Sequence, residues 1–372
     1  MQPLRDVAVL PGLARIILPG QPMAETVDFF IERCGFRVVW VYPADDPEVI
    51  ELQGHGMVLR LEAQTQAGPA ELWLPDGASD GDMLAPNGVR IRQGALVDAV
   101  PWLPVQAAFR SLRPTDDASW HVGRAGLRYQ DLIPDRLGGG LIVSRIRLEQ
   151  AGPLPDYVHY HQVAFQLIYC VQGDIQVVYE DQGEPFLMRS GDCVLQPPGI
   201  RHRVLSSTAG AEVIELACPA RHETFGDPAT TLPNGPARPG LSYGGQHFVR
   251  FQHQQVAPVA LAEATGWSSR SFGLEFATSG FAAGRVVEAA AGAAALGLVE
   301  QGVLHVVWVL AGQVTLQGPA QSPQTYQPAQ GFVLPAAAGP AMLHATEGTR
   351  LLHVHLCERL PHHPPFLEPR PR

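Results

Sequence analysis

The stretch that decides the fold reads HYHQVAFQLIYCVQG from His159 to Gly173 and GDCVLQPPGIRH from Gly191 to His202. It holds three histidines and one carboxamide in the pattern H-x-H-x4-Q, then G-x5-P-x-G-x2-H: His159, His161, Gln166 and His202. His159 and His161 are two residues apart, so both side chains point to the same face of a strand. Imidazoles bind Fe, Mn, Ni, Cu and Zn. The pattern therefore predicts one divalent transition-metal ion inside a small β-barrel.

The composition is that of a folded protein with more than one domain. Its 372 residues exceed one ordinary core, and 46% are hydrophobic against 17% charged. A net charge of −10 argues against nucleic acid or an anionic membrane as partner. All 26 basic residues are arginine, which excludes a lysine Schiff base.

Location follows from what the sequence lacks. No apolar run is long enough to span a bilayer, and the first residues show no signal-peptide core, so a cytoplasmic location is expected. The five cysteines contain no C-x-x-C pair, and reduced thiols are expected.

Secondary-structure patterns divide the chain into segments. Residues 13–63 predict a βαβββ unit whose helix, Ala24–Cys34, is closed by Gly35. Residues 126–217 hold short β-branched runs between glycines and prolines, which is typical of an all-β barrel or sandwich. Residues 227–245 are rich in proline and glycine and predict a linker. Residues 246–357 return to strand character.

The two strand-rich segments predict an internal repeat. Gly173 in YCVQGDIQV matches Gly312 in WVLAGQVTL, an offset of 139, which also places Val194-Leu195 on Val333-Leu334. At the four site positions the second segment then has Leu298, Glu300, His305 and either Pro340 or Ala341. We therefore expect a second barrel without the metal site, which packs against the first and completes its cavity wall. His353 and His355 are expected to be packing or surface residues.

In order and spacing, the two motifs resemble those of the cupin superfamily, and with the repeat the chain resembles a bicupin with a degenerate second barrel. The resemblance implies that His159, His161 and His202 bind the metal, and that Gln166 stands where most cupins have glutamate. Glutamine, unlike glutamate, brings no negative charge, so the metal ligands would be three neutral histidines. A divalent ion would then keep its full positive charge, which favours anionic, chelating substrates. Gln166 is then expected to orient substrate or bound oxygen by hydrogen bonding.

The N-terminal pieces ARIILPG, DFFIERCGFRVVW and GHGMVLRLE resemble a module of the glyoxalase/bleomycin-resistance (vicinal oxygen chelate) family. That family often holds a metal through a histidine on the first strand and a glutamate on the fourth. Glu62 lies near the second position, but the first strand has no histidine, so no metal is expected there. Residues 70–112 are expected to supply a degenerate second module, with APNGVRIRQ as a late strand.

These inferences combine into a mainly β fold: two tandem cupin (double-stranded β-helix, jelly-roll) barrels preceded by a βαβββ glyoxalase-like α+β domain. The expected segments are that N-terminal domain (1–120), a metal-binding barrel (126–222), a linker (223–245), a degenerate barrel (246–360) and a tail (361–372).

The leading functional hypothesis, implied by the three-histidine cupin dioxygenases, is a mononuclear Fe(II) dioxygenase acting on a small aromatic or enolisable carbonyl compound. Mn, Ni, Cu and Zn are alternatives to Fe. The expected partner is a small-molecule substrate, with a homodimer as an option. A second hypothesis is a non-catalytic protein that binds a metal and a small ligand. The third, a cupin-type isomerase or epimerase, is disfavoured because no lysine exists and no base is evident near the motifs.

Overall fold

The computed structural model describes residues 14–32, 35–54, 56–64, 71–74, 83–84, 90–93, 103–114, 120–299, 301–318 and 321–358. These residues are mainly β and form an N-terminal module and two barrels. Among them, no helix is long and apolar enough to cross a membrane. The cysteines they include, Cys170, Cys193, Cys218 and Cys357, are free thiols.

The N-terminal module has the predicted βαβββ order. Its helix is Met23–Glu32, and its strands are Arg15–Pro19, Arg37–Tyr42, Val49–Gly54 and Met57–Glu62. The first strand pairs in parallel with the fourth, and the other pairs are antiparallel. Apolar residues at alternate positions, such as Leu59 and Leu61, are buried against the helix.

Further strands extend the sheet of the N-terminal module beyond its first strand: Glu71–Leu74, Met83–Leu84 and Arg90–Gln93. The predicted late strand in APNGVRIRQ is confirmed as Arg90–Gln93. In the described parts of residues 70–112, these strands add to the existing sheet and do not form a second βαβββ unit. The rest of that range lies outside the described residues.

The first barrel consists of two facing walls of antiparallel strands. One wall is a sheet of seven strands in this spatial order: Val249–Phe251, Cys193–Leu195, Phe165–Gln172, Ala211–Cys218, Ile142–Leu148, Arg128–Asp131 and His121–Val122. The facing wall contains Phe186–Arg189, Asp174–Tyr179, His202–Ser207, His159–His161 and Thr224–Gly226, with Gly152–Pro153 beside His202–Ser207. Thr224–Gly226 also pairs with Arg37–Tyr42, which joins this wall to the N-terminal module.

The second barrel repeats this arrangement. One wall contains Val259–Ala260, Trp267–Ser271, Ala282–Ala289, Arg350–Leu356, Leu304–Ala311, Gly331–Pro335 and Arg110–Leu112. The other contains Leu296–Leu298, Ala341–Ala345, Val314–Gly318 and Gln321–Tyr326. The two larger walls pack on each other through one apolar cluster, in which the Phe165 and Phe281 rings lie 5.9 Å apart.

Short elements connect these strands. The helices Arg136–Gly139 and Leu274–Ala277 each precede a strand of a larger wall. Single 3-10 turns are Arg124–Gly126, His253–Gln255 and Ala336–Ala338. Between the barrels, Ser242–Tyr243, at the end of the stretch predicted as a linker, pairs with Gln246–His247, which lies just beyond that stretch.

The strand that precedes each barrel pairs with the other barrel. Val249–Phe251 precedes the second barrel and lies beside Cys193–Leu195 of the first. Arg110–Leu112, which falls within the range predicted for the N-terminal domain, lies beside Gly331–Pro335 of the second. This exchange buries Leu112 and Phe251 in the cluster between the barrels. The barrels are thereby tied together at both edges.

The internal repeat is confirmed at its hairpin glycines and corrected at one strand. Gly173 and Gly312 have φ of 75° and 72°, and a Cβ at Gly173 would lie 2.6 Å from Thr208 Oγ1. Cys193 and Gly331 are equivalent, because each begins the pairing with the strand exchanged from the other barrel. Val194-Leu195 therefore match Phe332-Val333 rather than the predicted Val333-Leu334. The second barrel has one residue fewer between hairpin and strand, and a one-residue shift exchanges the two faces of a strand.

Candidate metal centre

Three histidines from two neighbouring strands converge inside the first barrel. His159 and His161 lie on one strand, and His202 lies directly opposite His159 on the next. Their exposed fractions are 0%, 7% and 6%. Their potential ligand atoms all lie within 4.8 Å of one another. The structure therefore brings together the three histidines that the sequence pattern singled out.

Each of these imidazoles is held through Nδ1. His159 Nδ1 donates to the carbonyl of Tyr157 at 2.7 Å, and His202 Nδ1 donates to that of Ile200 at 3.0 Å. His161 Nδ1 lies 2.7 Å from Thr224 Oγ1, which accepts from it when Nε2 is the metal-binding nitrogen. For His159 and His202, the bonds to carbonyl oxygens select the tautomer in which Nε2 carries the lone pair.

The donor set fits a divalent transition metal. His159 Nε2 is buried and has no hydrogen-bond partner among the described residues, which is costly unless a ligand occupies that position. Three neutral imidazole nitrogens are a common donor set for such ions. His159, His161 and His202 would hold the metal through Nε2.

Gln166 lies on the cavity wall outside this group of three. Its Nε2 donates to Glu215 Oε1 at 2.8 Å, while its Oε1 is buried without a partner in the described part of the chain. A second carboxamide, which sequence reasoning missed, lies closer to the histidines: Gln196 Nε2 donates to His202 Nε2 at 2.8 Å. A metal at His202 would displace this donor, and turning the amide would present Oε1 instead.

A cavity of about 90 Å³ adjoins the histidines. Most of its wall is aliphatic or aromatic, including Leu127, Tyr129, Ile142, Ile146, Leu148, Ile168, Ile175, Val177, Tyr179, Met188, Val204 and Val213. Ala44 and Asp45 of the N-terminal module close one side. The expectation that the second barrel completes this wall is wrong, because the described residues lining the cavity belong to the N-terminal module and the first barrel.

Burial sets the protonation of the site. Desolvation lowers the pKa of His159 and His161 well below the usual value and that of His202 to about 3, so all three are neutral near pH 7. Burial also raises the pKa of Glu215, which lines the same cavity, to about 7, although Gln166 donates a hydrogen bond to its carboxylate. The expectation that no base lies near the motifs is therefore wrong.

The second barrel has lost the histidines of the first. Leu298 pairs with Ala341, as His159 pairs with His202, and Glu300 lies outside the described residues. In the strand pairing, His305 is equivalent to Gln166, and His353 is equivalent to Glu215. His305 Nδ1 lies 3.0 Å from His353 Nε2. His353 is buried, which agrees with packing, one of the two roles expected for it. In the described part of this barrel, no group of three potential ligands approaches as closely as in the first.

Comparison with known proteins identifies part of the chain. Residues 148–216 match the family model described as "Cupin domain". The match includes both histidine motifs and Glu215, and the mainly β fold predicted from the sequence is confirmed as cupin-like. No curated protein matches the chain.

Solved structures with a similar fold are distant in sequence. A variant of oxalate decarboxylase from Bacillus subtilis is 14% identical, with a TM-score of 0.48, and the match covers 68% of this chain and 78% of that one. The same enzyme at pH 4.6 is 13% identical, with a TM-score of 0.49 and coverages of 70% and 79%. A putative glyoxylate-induced protein from Pseudomonas aeruginosa is 14% identical, with a TM-score of 0.45 and coverages of 76% and 93%. The family match does not include the N-terminal module, whose resemblance to the glyoxalase family stays a prediction.

Proposed function

We propose that this protein is a mononuclear metal-dependent enzyme, an Fe(II) dioxygenase that acts on a small aromatic or enolisable carbonyl compound. The observation that carries the proposal is the convergence of three buried, neutral imidazoles on the wall of a largely apolar cavity. Iron, when bound, would supply a Lewis acid for the substrate and a redox partner for dioxygen.

The side chains of the cavity favour one class of substrate. Three neutral ligands leave the charge of a divalent ion uncompensated, so a chelating anion such as an enolate or phenolate suits the site. The aliphatic wall suits the apolar remainder of such a molecule. Ala44 and Asp45 line this cavity, so the N-terminal module would contribute to the shape of the substrate site.

Two residues of the wall would act on the substrate directly. Glu215, whose pKa is about 7, would accept the proton that an enolisable substrate loses on binding. Gln166 holds Glu215 Oε1 through its Nε2 and keeps its own Oε1 free to accept a hydrogen bond from the substrate. Gln166 is thus proposed to orient ligands rather than to bind the metal.

Oxygen uptake tests the proposal. Wild-type protein reconstituted anaerobically with Fe(II) should consume dioxygen on addition of a β-diketone or a dihydroxybenzoate. His202→Ala should lose this uptake, and His344→Ala, which removes an exposed histidine of the second barrel, should retain it. Iron bound by the wild type without uptake for either substrate class would refute the dioxygenase and leave the non-catalytic binding protein and the isomerase.

Glu215 also favours a second candidate, a metal-dependent isomerase or epimerase. Its carboxyl group lines the cavity, and its pKa of about 7 suits it both to take and to return a proton. Such an enzyme would exchange substrate protons with D2O under anaerobic conditions, and Glu215→Gln would stop the exchange. Turnover that requires dioxygen would exclude this candidate.

A further inference from the structure

Arg124 places a buried positive charge beside the histidines. It lies on the 3-10 turn Arg124–Gly126, and its side chain is only 8% exposed. Nη1 donates to Asp156 Oδ1 and lies 3.5 Å from His159 Nδ1. Asp156 Oδ2 in turn accepts from the backbone N–H of Val204 at 2.9 Å. The guanidinium is thus fixed on the cavity wall, one imidazole ring away from His159 Nε2.

One edge of this guanidinium is unused. Among the described residues nothing accepts a hydrogen bond from Nε or Nη2 of Arg124, and Nε is completely buried. A buried donor without a partner costs about 1–3 kcal/mol. Arg124, which lines the cavity, therefore keeps its Nε without an acceptor at a cost to the stability of the fold.

The same edge holds carboxylates elsewhere in this protein. Arg145 donates from Nε to Glu212 Oε1 at 2.7 Å and from Nη2 to Glu212 Oε2 at 3.0 Å. Arg110 holds Asp135 through the same two nitrogens. The fork of Nε and Nη2 matches the two oxygens of a carboxylate, and such paired bonds are stronger than bonds between neutral groups.

We propose that the free Nε–Nη2 edge of Arg124 binds a carboxylate of the substrate, so that the substrate carries a carboxylate in addition to the group that faces the histidines. This inference rests on the proposed function and narrows its substrate class to chelating carboxylic acids, such as 2-oxo acids or hydroxybenzoates. Asp156 is the positioning residue, because it occupies Nη1 and leaves the Nε–Nη2 edge of this cavity-lining residue without an acceptor among the described residues.

Binding to metal-free protein tests this role separately from the reaction. After removal of metal by a chelator, wild-type protein is titrated by calorimetry at pH 7.5 with benzoate and with benzamide, which has the same shape without the charge. Benzoate should bind at least tenfold more tightly. Arg124→Lys keeps a charge for Asp156 but lacks the fork, and it should lose most of this preference. Arg128→Met is the matched control, since Arg128 is half-exposed and paired with Glu149, and its preference should be unchanged.

A second variant guards against misfolding. Arg124→Met alone would leave Asp156 buried without its cation, so it is combined with Asp156→Asn. This double variant should fold and bind benzoate and benzamide equally. Equal affinities in the wild type, no benzoate binding by the wild type, or an intact preference in Arg124→Lys would overturn the inference. None of these outcomes depends on iron or dioxygen, so failure of the dioxygenase proposal would be seen separately.

Discussion

His159 and His202 lie directly opposite each other on adjacent antiparallel strands, with their ring centroids 4.2 Å apart. This pairing joins the first histidine motif to the second and places His161 on the same face. In the second barrel the same pairing is made by Leu298 and Ala341, which are 7% and 1% exposed. An apolar pair therefore fills the place of the ligands, and the second barrel keeps its fold without them.

Thr224 couples the N-terminal module to the metal centre. Its strand pairs with both the His159–His161 strand and Arg37–Tyr42, and its Oγ1 lies 2.7 Å from His161 Nδ1. Thr224→Val keeps the shape and removes this hydrogen-bond partner. We expect a metal affinity lower by about 10- to 100-fold with the fold retained, measured by competition with a chromogenic chelator. Thr315→Val, which removes a hydroxyl contact with Thr325 in the second barrel, is the control, and an equal loss there would contradict the role of Thr224.

Gln166→Glu would set two carboxylates at hydrogen-bond distance, since Gln166 Nε2 is 2.8 Å from Glu215 Oε1. One carboxyl must then keep its proton, so its pKa rises above the value in the unfolded chain, and stability is lost as pH rises. From pH 6 to pH 8, metal-free Gln166→Glu should lose about 1 kcal/mol more free energy of unfolding than wild type. Combination with Glu215→Gln restores one donor and one acceptor and should remove the extra loss. An identical pH profile in Gln166→Glu and wild type would show that the two groups do not interact.

His305 makes the second barrel sensitive to acid. Burial, with His355 nearby, lowers its pKa to about 4, below the value of about 6.5 expected in the unfolded chain. Between these values the unfolded chain binds more protons, so stability falls as pH drops from 6.5 to 4. His305→Gln carries the residue found at the matching position of the first barrel. Urea unfolding of metal-free protein at pH 7 and pH 5 should show a loss smaller than in wild type by about 2 kcal/mol. The same loss in both proteins would place the sensitivity elsewhere.

The strands and the three histidines could be predicted from the sequence because their signals are local. His159 and His161 alternate on one strand, and Gly173 and Gly312 mark equivalent hairpins with positive φ. The βαβββ order follows from helical spacing and short alternating runs. Where the repeat lost one residue before Gly331, nothing local marked the loss, and the predicted register was one position off.

The partners of the histidines could not be predicted, because they depend on pairings between distant strands. Thr224 reaches His161 only through the sheet, and Arg124 and Asp156 come from separate loops. Glu215 lies on Ala211–Cys218, in which every residue is buried, so alternation of polar and apolar residues does not reveal which side faces the cavity. Asp45 reaches the cavity from the N-terminal module, for which no role in the site was predicted.

The measurement that tests the central claim most directly is the metal content of purified protein. Wild type expressed in iron-supplemented medium and purified anaerobically should contain close to one equivalent of a divalent transition metal by elemental analysis. His161→Ala should contain only trace metal, while His344→Ala should match wild type, since His344 is exposed in the second barrel. Trace metal in the wild type, or equal metal in wild type and His161→Ala, would contradict the claim that the three histidines form a metal centre.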